Sequence, residues 1–124
     1  MPTIKHSDWI KKQKASLLVI ARKSPAALAA KVVKKTPVDT GVLRGSWTAS
    51  LNNPIANNVH RGERNPQAYT VSSRLGLNDE FYYMNGQHYA RKIEYGYSKQ
   101  APNGMLRTSV AEWQQIVNGV VRGI

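Results

Sequence analysis

Asp39-Thr40-Gly41 is the tripeptide in this chain that most invites a catalytic reading. Asp-Thr-Gly supplies the carboxylate of aspartic proteases, in which two such groups lie close enough to share one proton. A small subunit would contribute one carboxylate to the shared site of a dimer. The surroundings speak against it. That motif sits in all-β chains, usually with Ala or Ser after the glycine; here a long helical segment precedes it, Val42 follows it, and no later glycine-centred segment completes a site. Context decides a short motif, so the residues read as a helix-to-strand turn in which Asp39 accepts local backbone N–H groups. An aspartic-type protease dimer stays a remote alternative, to be tested by loss of peptidase activity in Asp39→Asn. His6, His60 and His88 are too far apart in sequence for a local metal site, and none forms an i, i+4 pair. The absence of cysteine excludes disulfides, thiolate ligands and a thiol nucleophile. No phosphate loop or nucleotide fingerprint is present. The expectation is no catalysis, no metal and no cofactor.

Lysine is the other chemistry on offer. The chain has 124 residues and a formal charge of +11, and residues 1–35 hold nine of its basic residues against one acid, Asp8. Such asymmetry points to an anionic partner for the N-terminal segment, either nucleic acid or an acidic protein face. Lys5, Lys12, Lys23 and Lys34 form a ridge, the last three at intervals of eleven residues, close to three helical turns. With Trp9 as the segment's one aromatic, stacking on single strands is poorly supported. Contact with nucleic acid would be sequence-independent and salt-sensitive. The plain alternative is a solvated ridge that keeps the protein soluble.

These side chains need elements to carry them. Ser7 reads as a helix cap with Asp8 in the first turn, and Ile10, Leu17, Ala21, Leu28 and Val32 recur on one helical face. One basic amphipathic helix over 7–35 is expected, kinked at Ser24-Pro25 and ended by Thr36-Pro37. A sheet is expected over 42–84. Its first strand buries Leu43, Gly45, Trp47, Ala49 and Leu51 on one face and turns Arg44, Ser46, Thr48 and Ser50 outward. A long loop, 52–68, follows with a short strand near Ile55, and Arg61 to Arg64 make an interaction hairpin or a mobile tip. Alternation of Tyr69, Val71, Ser73 and Leu75 predicts a second strand, Leu77-Asn78-Asp79 a turn, and Phe81 to Met84 a third strand. A short helix over 88–95 stops at Gly96. A C-terminal helix over 104–121 buries Met105, Leu106, Val110, Trp113, Ile116, Val117 and Val120. Tyr82, Tyr83, Tyr89, Tyr95, Tyr97 and Trp113 serve the core or a subunit interface. The fold class is α+β in one domain, 1–124: a small antiparallel sheet of three to four strands with helices on one face. No signal peptide is expected from the charged residues Met1 to Lys12, and the longest strongly apolar run, Leu17 to Ala21, is far too short to span a membrane.

Three segments together resemble the neck, or head–tail joining and tail-completion, proteins of tailed bacteriophages. They are Thr36-Pro37-Val38-Asp39-Thr40-Gly41-Val42-Leu43-Arg44-Gly45-Ser46-Trp47 after a basic helix, Tyr89-Ala90-Arg91-Lys92-Ile93-Glu94-Tyr95-Gly96, and Ala101-Pro102-Asn103-Gly104-Met105-Leu106-Arg107 opening a last helix. The resemblance spans roughly residues 7–120 and implies a long first helix, a small sheet and a final helix. It implies a structural virion protein of the neck, made in the host cytoplasm and assembled as a hexameric ring of its own copies. Connector or adaptor proteins would lie on the head side, and tail terminator or tail tube proteins on the tail side. Non-specific contact with channel DNA is a further expectation, and no membrane is involved. Asp39, Gly41, Leu43, Arg44, Trp47, Tyr89, Glu94 and Gly96 occupy the signature positions, with Glu94 and Arg44 suggested as an ion pair. The rival reading is a sequence-independent nucleic-acid-binding protein.

Overall fold

The computed structural model describes residues 5–38, 41–59, 63–65, 68–96, 100–101 and 103–123. Helix α1, His6–Lys35, is a single 30-residue helix with Pro25 inside it. The proline has no N–H to donate to the carbonyl of Ala21, four residues back, yet the helix runs on. It starts at His6 with Lys5 as its cap residue, so Ser7 is not the cap. It ends where expected: Thr36, before Pro37, turns extended at φ −71°, ψ 125°.

The next residues correct the expected strand. Val42–Gly45 is one helical turn, α2, entered through Gly41 at φ 82°, and the strand β1 is only Trp47–Leu51. Leu43 and Trp47 are four apart, and a separation of four keeps two side chains on one face in a helix and in a strand alike. The alternation therefore could not tell the two apart. Both residues are buried and pack with Val32 and Met105.

The expected strand over 69–75 is also a helix, α3, Ala68–Ser72. The core uses Ala68, Ser72 and Leu75, a helical i, i+4, i+7 set, and leaves Tyr69 74% exposed. Arg22 reaches from α1 to donate to the carbonyl of Leu75 at 2.8 Å. The turn at Leu77-Asn78-Asp79 is present, closed by Asp79 N–H on the carbonyl of Gly76 at 3.0 Å. Strand β2, Phe81–Asn85, pairs antiparallel with β1, Trp47 opposite Asn85 and Leu51 opposite Phe81.

Two strands therefore make the sheet among the described residues, where three to four were expected. Loop residues take the place of further strands. Ser46, Thr48 and Ser50, expected to face water, are all buried. Thr48 Oγ1 accepts from Asn57 N–H at 3.2 Å and from Asn65 Nδ2 at 2.8 Å. Ser46 Oγ accepts from Val59 N–H at 3.1 Å and Gln87 Nε2 at 2.9 Å, and Ser50 Oγ donates to the carbonyl of Asn53 at 2.8 Å. The segment after β1 thus lies over the polar face of the strand, pinned by its hydroxyls, without strand pairing near Ile55. Gly45 fits beneath it because a Cβ there would collide with the carbonyl of Glu63.

The opposite face of the sheet meets the helices. Ala29 of α1, Ala49 and Ala68 form one buried cluster, with Phe81 and Tyr83 against it. Trp47 and Tyr83 stack at 5.0 Å between ring centres, and burial pushes the Tyr83 hydroxyl up to about 12. Helix α4, Ala90–Glu94, is the expected short helix. The C-terminal helix is two pieces, α5 Leu106–Val110 and α6 Trp113–Arg122, parted where Glu112 N–H bonds Ser109 instead of continuing the ladder. Both pack on α1. Met105 and Ile116 are buried as expected, whereas Leu106, Val110 and Trp113 keep a third to a half of their surface in solvent.

Candidate functional site

Arg44 and Trp47, and separately Glu94, all expected at signature positions, take part in two hydrogen-bonded knots in the body of the fold. The first closes on Thr36, at the end of α1. Its hydroxyl donates to the carbonyl of Val32 at 2.7 Å and accepts from Trp47 Nε1 at 2.9 Å, and its own carbonyl accepts from Arg44 Nη2 at 2.9 Å. Arg44 and Trp47 thereby fix the angle between α1 and β1. Buried Leu43 sits between them, and Gly41 supplies the left-handed turn that starts α2. Asp39, expected at a signature position and the carboxylate of the protease alternative, lies outside the described residues. Gly41 is followed by helix, not by the β structure that an Asp-Thr-Gly site requires.

The second knot closes on Glu94. Its carboxylate accepts from the backbone N–H groups of Met105, Leu106 and Arg107 at 3.1, 2.6 and 3.1 Å, and from Arg107 Nε at 2.9 Å. Arg107 Nη2 also donates to the Glu94 carbonyl at 2.8 Å. Glu94 thus pairs with Arg107, and the suggested pair with Arg44 is not formed: Arg44 is committed to Thr36. Burial raises the Glu94 pKa, but the three N–H groups and the guanidinium outweigh it and leave the carboxyl below its ordinary value. Gly104, at φ 88°, permits this approach, since a Cβ there would meet the Glu94 carbonyl and carboxylate. Gly96 ends α4 at φ 92°, and Tyr89 packs on the core at the start of α4. The Arg107 guanidinium lies 4.5 Å from the centre of the Tyr95 ring.

The basic ridge is a surface feature. Lys5, Lys12, Lys23 and Lys34 are all exposed, and none enters the ion pairs found among the described residues. The lysines in those pairs are Lys31 and Lys35, which meet Glu112 at 2.8 and 3.7 Å and tie α1 to the start of α6. His6 lies beside Trp9, His88 beside Tyr89, and His60 is outside the described residues. Among the described residues no group of three or more His, Cys, Asp and Glu could hold a metal ion, and no helix is long and apolar enough to cross a membrane.

Sequence patterning missed two apolar grooves flanking α1. One, of about 450 Å³, is lined by Pro25 and Leu28 of α1, Phe81 of β2, and Leu106, Val110 and Trp113 of the C-terminal helices. The second, of about 590 Å³, lies between α1 and α3 and is bordered by Val19, Ala26, Ala30 and Tyr69, with Arg22 and Lys23 on its rim. The signal for the second was the row Ala26, Ala27, Ala30, residues too small to fill the space beside a helix. Tyr95 and Trp113 belong to the exposed surface, Tyr83 and Tyr89 pack on the core, and Tyr97 is outside the described residues.

No curated protein and no solved structure matches the chain. The family described as "Bacteriophage HK97-gp10, putative tail-component" matches residues 5–96. The match takes in α1, the Thr36 knot, the sheet and α4 with Glu94, and it stops before the third segment, 101–107. The chain belongs to the HK97-gp10-like family of bacteriophage tail components.

Proposed function

We propose that this protein is a ring-forming subunit of the phage neck, completing the joint between the DNA-filled head and the tail, and that it works by shape without catalysis. The observation that carries the reading is the apolar surface left open along α1. Leu17, Tyr69, Val110 and Trp113 are 55%, 74%, 50% and 39% exposed, on both sides of one helix. Tyr69 borders one apolar groove beside this helix, and Val110 and Trp113 line the other; apolar concavities of this kind mark interaction sites. The knots at Thr36 and Glu94 hold the helices at fixed angles, which a subunit needs if its contacts are to close a ring. In this reading copies of the chain form a hexamer, a connector or adaptor protein covers one face and a terminator or tube protein the other, and the protein resides in the neck of the virion. The lysine ridge then meets an acidic face of a neighbouring ring. Imaging of the particle tests the assignment: density for this fold as a ring between head and tail supports it, and density elsewhere in the tail overturns it. Charge reversal of Lys12, Lys23 and Lys34 is expected to leave heads and tails unjoined.

One observation favours a second reading, sequence-independent binding of nucleic acid: the four ridge lysines are exposed and free of acidic partners among the described residues. A gel shift across a salt series separates the readings. Tight binding at moderate salt with a steep inverse salt dependence selects nucleic acid; weak binding without sequence preference returns the ridge to a protein partner or to channel DNA met only within the particle.

A further inference from the structure

Ile10, Leu17, Ala21, Leu28 and Val32 fall within one narrow face of α1 at about 100° per residue. The chain covers only half of that face. Val32 is buried and Leu28 half-buried, whereas Leu17 is 55% exposed and residues 5–15 are exposed apart from partly covered Ile10. The helix therefore runs out of the body with its apolar side uncovered. It cannot fold back to cover itself. Leu17 and the groove at Leu28 lie on the same helix, roughly 16 Å apart along the axis at 1.5 Å per residue.

Two grooves offer cover, and charge decides between them. The projecting half carries Lys5, Lys11, Lys12 and Lys14 against the single acid Asp8. The groove beside α3 has Arg22 and Lys23 on its rim, so a basic helix entering it meets like charge. The lining of the other groove has no charged residue. Glu80 stands beside its lining residue Phe81 in sequence and is exposed, whereas Glu112, beside Trp113, is already held by Lys31 and Lys35. Lys14 lies on the apolar face between Ile10 and Leu17, and Glu80 is the carboxylate beside the groove that enters no ion pair found among the described residues.

We propose that the projecting half of α1, through Ile10 and Leu17, docks into the groove of a second copy of this chain that is lined by Phe81, Val110 and Trp113. Each copy then gives a helix and receives one, the head-to-tail contact from which rings close. The inference rests on the ring reading and names its lateral contact.

The chain has no cysteine, which makes disulfide trapping direct. Leu17 and Val110 are both half exposed, so Leu17→Cys and Val110→Cys in one chain should preserve the fold, checked by circular dichroism. Under mild oxidation the double variant is expected to give a ladder of covalent oligomers ending in a closed ring, whereas Leu17→Cys with Ser73→Cys, at the other groove, gives none. Leu17→Glu in the otherwise natural chain should abolish oligomers seen by native mass spectrometry and leave thermal unfolding unchanged. A product that stops at the dimer overturns the proposal in favour of a two-fold contact. Oligomers that form without the Leu17–Val110 link, or with the Leu17–Ser73 link, overturn it and leave the ring reading standing. A chain that stays monomeric in solution and in isolated tails overturns both.

Discussion

Thr36 and Glu94 each satisfy several buried or constrained partners with one side chain, so each concentrates stability at a single position. Thr36→Val keeps the volume but leaves Trp47 Nε1 without its acceptor. A buried donor left unsatisfied costs about 1–3 kcal/mol, and chemical denaturation should show a loss of that size with no change in secondary structure. Glu94→Gln weakens charge-assisted bonds to three N–H groups and to Arg107, at a cost of about 1.5–3 kcal/mol. The pH dependence has a definite sign. The folded carboxyl ionises more readily than the unfolded one, so the native state holds fewer protons in the window between the two values. Its contribution is complete above the ordinary carboxylate range and is lost as pH falls through the folded value. Melting temperatures of the natural chain and Glu94→Gln should therefore differ most near neutrality and converge in acid.

Among the elements, β1 and α1 carry the clearest consequences. The hydroxyl face of β1 holds the segment after it, and Thr48 Oγ1 is the shared acceptor for Asn57 and Asn65. Thr48→Val should release this segment while leaving the apolar face of β1 intact. Hydrogen exchange is expected to accelerate at residues 53–59 and to stay slow at 47 and 49. Helix α1 should behave as two halves. Residues 6–16 have little tertiary cover, and a short helical stretch without packing is marginal in water. In the free chain their amides should exchange much faster than those of 24–35, and assembly should slow them. Uniform protection along α1 in a verified monomer would contradict this division.

For the whole molecule, the core and both knots lie between Ser24 and Ile116, so the N-terminal segment belongs to assembly more than to folding. A chain lacking residues 1–16 should keep its circular dichroism and lose at most a few degrees of thermal stability, because exposed residues without buried contacts contribute little. It should also lose oligomer formation. Loss of the fold on this truncation would place the segment in the core instead.

Much of this was written in the residue types. The long basic helix, its end at Thr36-Pro37, the turn at 77–79, the strand at Phe81 and the stop at Gly96 follow from proline, glycine and periodic apolar residues, which act within a few residues of themselves. So did the family resemblance, whose first two segments lie inside the matched region. Tertiary contact decided the rest. Leu43 with Trp47 has a spacing that helix and strand both accept, and only the core chose the helical turn; Tyr69 and Leu75, six apart, share a face only in a strand, and the core took Ala68, Ser72 and Leu75 and left Tyr69 in solvent. Ser46, Thr48 and Ser50 look solvent-facing until Asn57, Val59 and Asn65 return across them. Glu94 found Arg107 and not Arg44 because α5 begins beside it while Thr36 holds Arg44. The grooves along α1 could not be read locally at all, since a groove is made by the distance between elements far apart in the chain.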